Sequence, residues 1–134
     1  MKRWHAWAAA VTLLFAYPAV TLIYVYSHTI EAAFPGSRYG PGDAYRHALA
    51  SGFVARTLSP RAVVLASAVM EGDDEASLMD RHNNAIGAAI GTRSTSLVDM
   101  QQRVLDAVRA GRVNATDPSQ MTWLPPHRWR NLPF

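Results

Sequence analysis

The chain has 134 residues, 49% of them hydrophobic, a formal charge of +3 and no cysteine. That length allows one domain, and without cysteine neither a disulfide framework nor a thiolate metal site can support it, so its stability must come from packing. Lys2 and Arg3 precede a long apolar run, while the later arginines nearly cancel the ten acidic residues. No basic block of the kind that neutralises phosphates occurs before the extreme C-terminus, which sets nucleic acid aside as a partner.

From Ala6 to Ser27 no side chain carries a charge, and this length matches the ~20 apolar residues that cross a hydrocarbon core. Trp4 and Trp7 at one end and Tyr24 and Tyr26 at the other stand where amphipathic rings prefer the two interfaces. Pro18 is compatible with a spanning helix that kinks. The sequence therefore predicts a transmembrane anchor over residues 1–28. The basic residues before the span place the N-terminus in the cytoplasm and a domain of residues 29–134 outside, anchored in the inner (cytoplasmic) membrane by a single pass. A cleaved signal peptide is the competing reading. The apolar run is too long for one, and no small-x-small cleavage site lies near its end.

Phe34 to Asp43, FPGSRYGPGD, concentrates Pro and Gly and reads as a loop ending at a helix, with Asp43 as N-cap or first-turn acid. The helix extends to about Leu58, and Ser59 with Pro60 restarts another. The body of that second helix, Ala62 to Met70, is apolar on every side, which predicts a central position among neighbours. A further helix is expected from Ser77 to Ile90 with Gly91 at its end, and another after Ser96, where Asp99 completes a capping box and Gly111 provides the stop. No stretch alternates as a strand would. The tail from Asp117, with four prolines among Trp123, Trp129 and Phe134, predicts an extended strap. The expected class is all-α, about four helices beyond the anchor.

Two helices carry similar polar faces. Asp43 is followed by Arg46 and His47 at three and four residues and by Ala50 at seven; Asp80 is followed by Asn83, Asn84 and Gly87 at the same spacings. Each set lies on one helix face, and the small residue in each favours close approach. Glu71 follows the apolar helix, where desolvation would raise a carboxyl pKa and suit it to acid or base work. Asp, His, Glu and Asn together also offer oxygen and nitrogen ligands for a divalent metal. Plainer roles stand beside these. Asp43 serves equally well as a cap, His47 as a hydrogen-bonded structural residue, Glu71 as the ion-pair partner of Arg46, and Asn83 or Asn84 as a cross-link between helices. The Gly87/Gly91 pair is read as a close helix contact.

The order D-A-Y-R-H-A at Asp43 to Ala48, then Glu71, then M-D-R-H-N-N-A-I-G at Met79 to Gly87 resembles an uncharacterised bacterial family of small helical domains. Its members show D-A-[FY]-R-H-A, an acidic residue and D-x-x-N-N-x-x-G in that order. The resemblance covers about fifty residues. It implies an envelope-associated or toxin-like module and a site, but no particular reaction. Met70 stands where many relatives have a histidine, which removes one candidate ligand, and Leu49 and Ala50 replace an aromatic.

The expectation is thus a membrane-anchored envelope hydrolase. Glu71 and His47 are its catalytic pair, Arg46, Asn83 and Asn84 hold substrate, and Asp43, His47, Glu71 and Asp80 are the candidate metal ligands. An envelope polymer, a lipid or a protein is the expected partner. The alternative is a non-enzymatic envelope subunit whose polar cluster fixes helix packing.

Overall fold

The computed structural model describes residues 2–70 and 72–131. Five α-helices dominate: α1 (Lys2–Ala32), α2 (Pro41–Thr57), α3 (Pro60–Met70), α4 (Glu75–Arg93) and α5 (Leu97–Arg109). The chain ends in a strap holding two-residue strands β1 (Arg112–Val113) and β2 (Thr122–Trp123) and a 3-10 turn at Pro126–Arg128. The strands pair in parallel, Arg112 opposite Thr122. The all-α class, the apolar N-terminal helix and the packed strap are as the sequence predicts.

Local chemistry starts each helix. Pro41 occupies the first turn of α2, and Ser59 Oγ accepts the Ala62 N–H ahead of α3 (3.3 Å). Asp74 caps α4 by accepting the Ser77 N–H (2.7 Å), and Ser96 caps α5 by accepting the Asp99 N–H (3.0 Å), each satisfying an otherwise orphaned donor. The hydrogen bond from the Ser77 N–H holds the Asp74 carboxyl below its ordinary pKa, as that from the Thr95 N–H does for Asp99. Gly40, with no side-chain cap, precedes α2, so Asp43 is the first-turn acid, one of the two roles the sequence allows it. One boundary differs from expectation: α4 runs through Gly91 to Arg93.

α2 is the central helix, a place the sequence reading gives to α3. Ala44, Tyr45, Ala48 and Leu49 of α2 are fully buried, whereas α3 buries Val63 alone among its described residues. Hydrophobicity on all sides suits a core helix and a lipid-facing helix equally, and α3 leaves Val64, Leu65, Val69 and Met70 68–87% exposed. α2 and α4 run parallel, joined through the antiparallel α3. A Cβ added at Gly87 would stand 2.2 Å from the Ala48 carbonyl oxygen, and one at Gly91 2.2 Å from that of Gly52. Backbone therefore touches backbone along this pair. Ala48, not Ala50, faces Gly87. From the other side α5 inserts Met100, Val104 and Val108, all buried.

α1 has two halves. Residues 3–16 are exposed throughout. Beyond them Val25 and Thr29 are buried, the Tyr24 ring lies 4.8 Å from that of Phe53, and Tyr17 Oη is 2.5 Å from Thr57 Oγ1. The helix from Arg3 to Ala32 is long and apolar enough to cross a membrane.

Candidate functional site

The loop between α1 and α2 sets Asp43. Gly36 takes φ +70°, and its Cα approaches that of Gly40 so closely that a Cβ at Gly36 would stand 2.7 Å from it. Trp129 covers the pair and donates its indole N–H to the Leu124 carbonyl (2.6 Å). Tyr39 adopts φ +67°, uncommon for a side-chain-bearing residue, and donates its N–H to Asp43 Oδ2 (2.7 Å). Asp43 itself is 3% exposed.

Arg46, one turn on, pairs with Asp43 Oδ1 through Nη2 and donates from Nη1 to the Ser37 carbonyl (3.0 Å). His47 Nε2 lies 3.5 Å from Asp43 Oδ1 and 3.5 Å from Asp80 Oδ2, which α4 brings across the parallel contact. Ligand atoms of Asp43, His47 and Asp80 all fall within 4.8 Å of one another. A cation about 2.1 Å from each ligand in tetrahedral geometry requires separations of about 3.4 Å; both histidine distances, 3.5 Å, are close to this, while the set as a whole spans up to 4.8 Å and would have to draw together. The two carboxylates supply negative charge and Arg46 offsets part of it beside Asp43. One imidazole and two carboxylates are donors that could hold a divalent cation of intermediate or hard character.

The asparagines go elsewhere. Asn83 is fully buried. Its Nδ2 donates to the Thr122 carbonyl (2.8 Å) and its Oδ1 accepts the Thr122 N–H (3.0 Å), so the side chain completes the free edge of β2. Asn84 accepts from Ser51 Oγ (2.8 Å) and donates to Ser67 Oγ (3.1 Å), tying α2, α3 and α4 together. His82 Nε2 meets the Gln120 carbonyl (2.7 Å). Glu71 lies outside the described residues. The structure thus joins Asp43, Arg46, His47 and Asp80, places Asn84 one turn of α2 beyond His47, at Ser51, and turns Asn83 to the strap.

Sequence reasoning passed over the positioning roles of Tyr39, Ser51 and Ser67. Ser67 interrupts an otherwise apolar helix, a readable signal; Tyr39 gave none. It also passed over an open groove of about 310 Å³ between α1, α2 and α3, which reaches Arg46, His47 and Asn84. Compared with models of protein families, with curated proteins and with solved structures, the chain finds no match.

Proposed function

We propose that this is a single-pass membrane protein of the bacterial cell envelope, and that its helical domain, on the extracytoplasmic side, is a metal-dependent hydrolase. The observation that carries the reading is the convergence of Asp43, His47 and Asp80 from two helices on one point, with His47 at the end of an open groove. Asp43, His47 and Asp80 are the ligands in this reading, and a bound divalent cation supplies an activated water at neutral pH. Arg46 turns from Asp43 toward a substrate oxyanion, Asn84 borders the site, and Glu71 acts as general base or acid. The resemblance of the motif order to that of envelope-associated helical domains favours this compartment in our reading, as does the basic N-terminal flank of α1.

The rival reading, a non-enzymatic subunit, draws on the bonding of Asp43. Both of its oxygens already have partners, in the Tyr39 N–H and in Arg46, and an imidazolium at His47 would join the two carboxylates without a metal. Asn84, however, stands outside that network, bonded to Ser51 and Ser67, so the closed set of Asp43, Arg46, Glu71 and Asn84 that a packing role calls for is not formed among its described members. Hydrolysis of envelope fractions (peptidoglycan, phospholipid and phosphoester) by the full chain in nanodiscs, with Glu71→Gln and Asp80→Asn beside the parent, tests the proposal. Loss of turnover in both variants with unchanged melting supports it. Equal turnover in all three removes it.

A further inference from the structure

The groove beside His47 and Arg46 has walls of a particular kind. Leu22 and Val25 come from α1, Val54 from α2, and Val63, Ala66 and Met70 from α3, so its walls are mostly apolar; Arg46, His47 and Asn84, with Ser51 and Ser67 bonded to Asn84, make one end polar, and Thr21 and Tyr26 of α1 add a hydroxyl each. One wall is the same helix that is long and apolar enough to cross a membrane. An apolar groove with a cation and an imidazole at one end has the polarity of an amphiphile.

The position of the groove along α1 shows where such an amphiphile comes from. Residues 3–16 stand clear of the domain and rise about 21 Å at 1.5 Å each, short of the roughly 30 Å of a hydrocarbon core. From Tyr17 onward α1 lies against α2, with Tyr17 at Thr57. A spanning α1 therefore brings the Thr57 end of the domain down to the acyl boundary, the depth reached by interfacial helices. The surface there fits that depth. Leu58 and Val98 are 60% and 76% exposed, the outer face of α3 is exposed and apolar, and Arg61 and Arg93 stand exposed nearby to meet headgroups. From Thr57 to His47 is ten residues of α2, about 15 Å, so the groove leads from the bilayer surface up to the cluster.

The geometry points to a membrane lipid as the occupant: its hydrocarbon chain lies in the groove between α1, α2 and α3, entered from the bilayer alongside α1, and its phosphate-bearing head rests at the Arg46, His47 and Asn84 end. This rests on the proposed membrane anchorage and names the substrate class for the proposed site; lipid occupancy itself does not require that the site bind metal.

The test uses the full chain in nanodiscs containing phosphatidylglycerol with a diazirine in its acyl chain, with adducts mapped by mass spectrometry. Adducts are expected on Val54, Val63 and Ala66, reduced at least several-fold in Ala66→Trp and Ala50→Leu, which narrow the groove. Labelling of Leu13 and Leu14 on the free half of α1 should be unchanged, and Leu65→Trp, on the outer face of α3, should leave the groove adducts intact. Circular dichroism establishes that each variant is folded. Groove labelling no stronger than that of the outer face of α3, or indifferent to both narrowing variants, overturns the inference. A groove shielded from lipid in a chain that is dimeric in the nanodisc also overturns it, since a second copy would then be the occupant. Mn²⁺ binding measured on the same samples separates the two proposals: groove adducts without Mn²⁺ binding uphold the lipid seat while the metal site fails, and Mn²⁺ binding without groove adducts does the reverse.

Discussion

His47 Nε2 stands 3.5 Å from Asp80 Oδ2, a contact between helices that are separated in sequence by the whole of α3 and meet only because their backbones pack without intervening side chains. The imidazole reaches a second carboxylate, Asp43, on its own helix at the same distance. The site's geometry is therefore a property of the α2/α4 seam, and changes to that seam far from the cluster should be felt there.

Gly87→Ala is the sharpest probe of this. Its methyl would meet the Ala48 carbonyl oxygen at 2.2 Å, a backbone atom that cannot rotate away, so the helices must part. We expect a loss of about 3 kcal/mol in chemical unfolding, at the upper end of overpacking costs. A weakened His47–Asp80 contact should accompany it, read as a changed His47 ring environment by NMR. Gly87→Ala with parental stability would mean that the seam is looser than described.

Asn83→Ala should leave both the N–H and the carbonyl of Thr122 buried without their partners. Each such loss costs about 1–3 kcal/mol, and the fully buried position admits little compensating water. The strap should loosen before the helices do. Hydrogen exchange at the Thr122 amide is expected to accelerate more than exchange at Ala48, and uniform acceleration across the chain would contradict this account of Asn83.

Removing residues 1–27 should destabilise the domain rather than free it. Val25 is 2% exposed, and Tyr24 lies against Phe53. The truncation removes the buried Val25 and uncovers Phe53, and burying large apolar side chains is worth about 1.5–3 kcal/mol each. The fragment 28–134 is expected to melt earlier than the full chain in micelles and to aggregate on warming. A fragment as stable as the full chain would show that α1 merely rests on the domain.

How far this was legible in the sequence depends on the range of the interaction. Helix starts at Pro60 and Ser96 are local chemistry and could be read directly. The polar faces were readable too, because spacings of three and four place Asp43 beside His47 on any α-helix, and the paired pattern at Asp80 suggested a facing helix. The exposure of α3 was not readable, since Val64, Leu65 and Val69 look the same whether covered by protein or by lipid. Nor was the choice of Ala48 over Ala50 as the residue meeting Gly87: spacing marks a face but not its rotation toward a partner. The role of Asn83 depends on Thr122, thirty-nine residues away, in a strand of two residues that is too short to show alternation.

The central claim is that Asp43, His47 and Asp80 hold a divalent cation, and Mn²⁺ binding to the full chain in nanodiscs, followed by electron paramagnetic resonance, tests it most directly. The account predicts one bound ion per chain, with affinity reduced by at least about tenfold in Asp80→Asn and in His47→Gln, while both variants keep the parent's circular dichroism. Binding absent from the parent, or equal in all three proteins, would contradict it and leave the cluster as a structural ion-pair network between α2 and α4.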